Sequence, residues 1–152
     1  MASESASRPA GPADLCTAAK VRRLSRRITQ IYDAALAPHD LTIGQFGLLA
    51  SLSRRTGLSI TALAARLAAD ASTISRLVRP LADVGLLRIA TDPDDRRGRL
   101  VWITDAGHAR RTAAQAAWAQ AQAHVARQLG DGRLAALRFL LDEAHDRLEA
   151  EE

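Results

Sequence analysis

Apolar residues recur at spacings of three and four along most of this chain, which predicts helices, and break that rhythm over only two short stretches. Across residues 14–37, Val21, Leu24, Ile28, Ile31 and Ala35 share one helical face, while Arg22, Arg23, Arg26 and Arg27 mostly fall elsewhere. Pro38 ends that helix. Thr42 with Gln45 three residues on has capping-box spacing and opens a second helix, carrying Phe46, Leu49 and Leu52 and predicted to end near Gly57. A short third helix, capped at Ser59 or Thr61, holds Leu63, Ala64 and Leu67. A fourth follows the N-cap Asp70, with Ile74, Leu77, Val78, Leu81 and Val84 as its predicted buried face, and Gly85 closes it. Residues 87–91 and 100–104 are rich in β-branched and apolar residues, and the polar Pro/Gly stretch between them makes a hairpin. A long alanine-rich helix over 105–129 follows, then a turn bracketed by Gly130 and Gly132. The last helix, over 132–148, has Leu134, Leu137, Leu141, Ala144 and Leu148 on one stripe.

One hairpin cannot form a core by itself, so the chain is mainly α. The segment 60–79 fits a helix-turn-helix. Ala64 is the small residue that lets the second helix cross closely, Ala68 sits at the tight turn where glycine is common, and Ile74 anchors the second helix. With the hairpin as a wing, the predicted fold is an α+β winged helix: a helix-turn-helix core with one β-hairpin wing, flanked by N- and C-terminal dimerisation helices. Residues 1–12, rich in Ser, Ala and Pro, read as a disordered tail. Residues 13–38 read as an N-terminal dimerisation helix, 40–104 as a DNA-binding domain and 105–150 as C-terminal dimerisation helices. The outer helices earn that reading because their apolar stripes have little to pack on in one copy.

Charge sharpens the picture. The net charge is +4, and 20 of the 21 cationic residues are arginine, Lys20 being the single lysine. The outer side of the fourth helix carries Ser72, Thr73, Ser75, Arg76 and Arg79, with no acidic residue between Ala71 and Leu81. Hydroxyls near a helix start bond phosphates or bases, and arginine reads guanine through two hydrogen bonds. Pro80 predicts a kink that leaves the direction of Arg79 open. Arg96, Arg97 and Arg99 on the narrow hairpin suit a minor groove. Asp92, Asp94 and Asp95 lie among them, and one or more is expected to pair with Arg96 or Arg97 and fix the loop.

Gly85-Leu86-Leu87-Arg88, Asp92-Pro93-Asp94-Asp95-Arg96-Arg97 and Ile103-Thr104-Asp105-Ala106-Gly107 follow one another in a fixed order, with Leu41-Thr42-Ile43-Gly44-Gln45-Phe46 upstream. Over about residues 15–148 this arrangement resembles the MarR (multiple-antibiotic-resistance regulator) family, and the wing motif is its most specific part. The resemblance implies a homodimer joined by its terminal helices, with two winged lobes on adjacent major grooves of a two-fold double-stranded DNA operator. It also implies repression relieved by a phenolic ligand or an oxidant.

Two features are candidates for sensing such an effector. Ile28, Tyr32, Phe46 and Leu49 lie near the junction of the first two helices and are candidate lining for a ligand pocket. Cys16 is predicted in the first turn of the first helix, after an Asp14 cap, where the helix dipole and Lys20 favour a thiolate redox switch. Its placement resembles the organic-hydroperoxide-sensing branch of the family, although Lys20 stands where that branch is expected to have a tyrosine.

Other function classes fit less well. There is no glycine-rich phosphate loop and no nucleophile–base–acid constellation, so no enzyme and no cofactor are expected. A lone cysteine allows no internal disulfide and no cysteine-based metal site within one chain. No apolar run reaches the ~20 residues of a membrane span, and the N-terminal residues lack the apolar segment of a signal peptide, so the expected location is cytoplasmic. The remaining alternative is a helical dimeric interaction module or anti-regulator that does not bind DNA. Such a protein should lack the basic helix face and the wing arginines.

Overall fold

The computed structural model describes residues 16–93, 95 and 98–150. The 1–12 tail, Asp14, Asp94, Arg96 and Arg97 lie outside the described residues. Helix α1 (Thr17–Leu36) opens at Cys16, which is itself the N-cap, with extended backbone and no side-chain cap bond. Cys16 therefore precedes the first turn rather than lying within it. A 3-10 turn, Ala37–His39, starts with Pro38 near its head and leaves Asp40 in the left-handed region, where a short polar side chain is tolerated. The chain then enters α2 (Ile43–Ser51) through the expected Thr42–Gln45 capping box. The Ile43 amide is also satisfied, by Asp33 Oδ1 of α1 at 2.7 Å, so α1 helps to cap its neighbour.

The second helix stops at Ser51, short of the predicted Gly57. Leu52 turns extended, and Arg66 Nη1 donates to the Ser51 carbonyl at 2.8 Å, closing the helix end from a distance in sequence. The chain continues into a two-residue strand, β1 (Leu58–Ser59), which pairs with Val101 and Leu100. The sheet therefore has three strands in the order β1-β3-β2 rather than a lone hairpin. Ser59 then caps α3 (Ile60–Arg66) by accepting from the Ala62 amide.

The turn after α3 places Ala68 at φ +46°, a conformation that costs a residue with a Cβ about 1–2 kcal/mol. Replacing Ala68 by glycine relieves that strain but loosens the unfolded chain. The net expected gain is about 0.5–1 kcal/mol, read as a higher denaturation midpoint.

Helix α4 (Ala71–Asp83) runs through Pro80 and buries Ile74, Val78 and Leu81. Val84, predicted on that buried face, is instead the C-cap and is exposed. The helix ends in a Schellman motif. Gly85 takes φ +76°, its amide bonds the Ala82 carbonyl, and the Leu86 amide bonds the Leu81 carbonyl. Strands β2 (Leu87–Thr91) and β3 (Arg99–Ile103) pair antiparallel with Leu87 opposite Ile103 and Thr91 opposite Arg99. Thr104, expected at the strand end, becomes the N-cap of α5 (Asp105–Leu129). Helix α6 (Asp131–Glu149) completes the chain.

The core of the winged lobe centres on Leu36, Leu48, Leu49, Leu63, Ile74, Leu81 and Val101, all fully buried. A smaller cluster of Tyr32, Ala121 and Val125 joins α1 to α5. Trp118 packs against both clusters and stacks on Phe46 with ring centroids 6.0 Å apart. Helix α6 buries none of its residues, and Phe139, Leu140, Leu141 and Leu148 are exposed. No helix among the described residues is long and apolar enough to cross a membrane.

Candidate nucleic-acid interface

Helix α4 has two chemically distinct sides. Ile74, Val78 and Leu81 fix one side in the core, and the 3.6-residue repeat then turns Ser72, Ser75, Arg76 and Arg79 to solvent. Thr73 is half-buried beside them. At the N-terminal end, Asp70 accepts from the Thr73 amide and from the Ser72 and Thr73 hydroxyls. These bonds, that to the Ser72 hydroxyl first, hold the Asp70 carboxyl well below the usual carboxylate range. Arg76 Nη2 reaches back over both hydroxyl oxygens, at 3.5 and 3.4 Å. The Ser75 hydroxyl donates to the Ala71 carbonyl at 2.8 Å.

The wing meets the same side of α4. Ser75, Arg79 and Arg99 line one cleft of ≈ 420 Å³ between helix and hairpin, floored by Ile60, Val78, Ile89 and Val101, with Asp83 also on its wall. Arg99 is steadied by a 2.8 Å bond from Nη1 to Thr91 Oγ1 across the strands. Three rungs along the same ladder Arg88 lies 4.1 Å over the Trp102 ring, a cation–π contact that joins β2 to β3. At the hairpin end the Asp92 amide bonds the Gly98 carbonyl, and the Gly98 amide bonds Asp95. Two groups of the sequence-predicted residues are thus each brought together: Ser72, Thr73 and Arg76 around Asp70, and Ser75, Arg79 and Arg99 in the cleft.

The four residues offered as a ligand pocket divide between two apolar clusters. Phe46 and Leu49 belong to the core of the winged lobe, while Ile28 and Tyr32 belong to the α1–α5 cluster, with Trp118 against both. The Tyr32 hydroxyl donates to Gln122 Oε1, and burial pushes its pKa up, partly opposed by Arg138. Ile28 also borders a groove of ≈ 470 Å³ with Val21, Leu24, Leu137 and Leu141. The Cys16 thiol is free and exposed. Sequence reasoning gave Asp70 only the role of a cap. The signal for more was its spacing, since a carboxylate two and three residues before hydroxyls at a helix start reaches both.

Comparison with known proteins gives this surface its context. A MarR family model matches residues 39–98, from the 3-10 turn to the wing. The M. tuberculosis transcriptional regulator MosR has the same fold with a TM-score of 0.77 and 31% identity, over 90% of this chain and 98% of MosR.

The chain belongs to the MarR family.

MarR-family membership accounts for the winged helix-turn-helix and for the long helices on either side of it. MosR has also been solved in complex with DNA, and that structure matches at 29% identity with a TM-score of 0.77, over 89% of this chain and 97% of MosR. Bordetella bronchiseptica BpsR, whose structure addresses regulation of DNA binding by 6-hydroxynicotinic acid, matches at 25% identity with a TM-score of 0.77, over 87% of this chain and 94% of BpsR. The HTH-type transcriptional regulator TtmR of Methylorubrum extorquens is 36% identical over 76 residues, which cover 50% of this chain and 39% of TtmR. The chain spans half or less of the length of the curated relatives it matches.

Proposed function

We propose that this MarR-family chain is a homodimeric, sequence-specific DNA-binding regulator of transcription, a repressor released by a small phenolic ligand or an oxidant. The observation that carries the reading is the exposed side of α4. It is free of acidic residues from Ala71 to Leu81 and shares a cleft with the wing. In this reading Ser72, Thr73, Ser75, Arg76 and Arg79 enter a major groove, and Arg96, Arg97 and Arg99 follow the backbone and the minor groove. The MosR–DNA complex supports a DNA partner. The apolar α1–α6 groove and the exposed Phe139, Leu140 and Leu148 support pairing of two copies through segments 13–38 and 105–150, leaving 40–104 as the DNA-binding unit. BpsR, as a relative whose DNA binding is regulated by a small aromatic acid, supports release by a phenolic ligand. Ile28, Tyr32, Phe46 and Leu49 are its candidate contacts, and Cys16 is the candidate oxidant sensor.

Arg76 supplies the test. Arg76→Ala is expected to cost about 1–3 kcal/mol of operator affinity and to relax base preference at one position of each half-site. Unchanged affinity in a titration of labelled operator would remove α4 as the reading element.

A further inference from the structure

The first turn of α4 holds a closed hydrogen-bond circuit. Asp70 Oδ1 accepts from Ser72 Oγ at 2.5 Å and from the Thr73 amide at 2.7 Å, and Oδ2 accepts from Thr73 Oγ1 at 2.8 Å. Arg76 Nη2 approaches both hydroxyl oxygens from the opposite side. An ionised carboxylate only accepts, a guanidinium only donates, and a hydroxyl has a single proton. Each hydroxyl proton is therefore committed to Asp70, and lone pairs are all that Ser72 and Thr73 have left to offer. A phosphate oxygen also only accepts, so these hydroxyls have nothing to give it, and the Asp70 charge repels it.

We infer that Asp70 is a specificity-determining residue of α4: by holding both hydroxyl protons it makes Ser72 and Thr73 acceptors for the exocyclic amine of cytosine or adenine. The inference rests on the DNA-reading role proposed above. In the major groove, cytosine N4 and adenine N6 are the donors, whereas guanine O6 and N7 and thymine O4 are acceptors. Arg76 adjoins the hydroxyls as a donor fork suited to guanine. A G·C pair offers both halves of this pattern side by side. The turn therefore reads a base edge, which narrows the initial expectation that its hydroxyls bond phosphates or bases.

Asp70→Asn separates this role from capping, because asparagine is an equally good N-cap but presents one acceptor and one amide donor. One hydroxyl then loses its acceptor and is free to donate outward. The experiment is selection of duplexes from a randomised pool by the full chain, comparing the parent, Asp70→Asn, and Ser72→Ala/Thr73→Val. The parent is expected to select cytosine or adenine at one position of each half-site. Asp70→Asn should admit guanine or thymine there about tenfold more readily, with the other positions kept. Ser72→Ala/Thr73→Val should lose preference at the same position, and it gives the answer even if Asp70→Asn folds poorly. Selection of the same bases with undiminished preference by either variant would overturn the role of Asp70. Failure of the parent to enrich any sequence would instead overturn the DNA-reading proposal beneath it.

Discussion

Gly107→Ala will destabilise the fold by about 3 kcal/mol or more, through the closest backbone clash that a Cβ meets at any glycine among the described residues. Gly107 lies in the first turn of α5. A Cβ there falls 2.1 Å from the Leu86 carbonyl oxygen, 3.0 Å from its carbon and 2.9 Å from Ile103 Cγ1. The obstacle is backbone, and that backbone is held in place. The Leu86 amide closes the α4 Schellman motif on Leu81 at 2.8 Å, and the Leu86 carbonyl accepts from the Thr104 amide at 3.1 Å. Thr104 Oγ1 donates to the Gly85 carbonyl at 2.7 Å and accepts from the Gly107 amide at 3.1 Å. Moving α5 away breaks this joint, which ties the end of α4 and the root of the wing to the long helix. Gly47→Ala is the control. Its Cβ meets nothing within 4 Å on an interior position of α2, so it should be neutral or stabilise by up to about 1 kcal/mol. Thermal unfolding followed by circular dichroism distinguishes them. Parallel behaviour of the two variants would refute the packing argument.

Leu141→Glu will break the proposed dimer while leaving the single chain folded. Leu141 is 45% exposed in one copy and borders the α1–α6 groove with Val21, Leu24, Ile28 and Leu137. In a two-fold pair each copy would bury this residue against the other, so the variant places two unpaired carboxylates in one apolar interface. Breaking it by about 3 kcal/mol or more weakens association roughly a hundredfold. Light scattering at micromolar concentration should then give the mass of one chain, and operator affinity should fall because two linked lobes no longer bind together. A dimer mass with unaltered operator binding would show that α6 is not the pairing surface.

Much of this architecture is legible in the sequence because local chemistry decides it. Thr42 with Gln45, Ser59 and Asp70 cap helices through residues only three positions apart. The run over 87–91, rich in β-branched and apolar residues and ended by the polar Pro/Gly stretch, gives β2 its bounds. What escaped depends on partners far along the chain. Strand β1 is two residues long and exists only because Val101 and Leu100 lie opposite. The end of α2 meets Arg66, which bonds the Ser51 carbonyl from fifteen residues away. Val84 is the local exception, exposed as the C-cap just before Gly85 turns the chain. Ile28, Tyr32, Phe46 and Leu49 look contiguous at a helix junction, but Trp118 arrives from α5 to pack against both groups. At the site, Arg76 and its hydroxyl neighbours follow from helical periodicity alone. Grouping Arg99 with Ser75 and Arg79 requires the register of β3 against β2, which no local pattern fixes.

The central claim, that this chain reads a two-fold DNA sequence as a pair, is tested most directly by sequencing the genomic fragments that the purified protein retains. The best enriched fragment is then titrated against a scrambled duplex of equal length at several salt concentrations. The predicted result is one enriched sequence with two-fold symmetry, saturated by two chains. It should be bound at least about 10³-fold more tightly than the scrambled duplex, with affinity falling linearly in log salt. Equal affinity for both duplexes, or no enriched sequence, would contradict it.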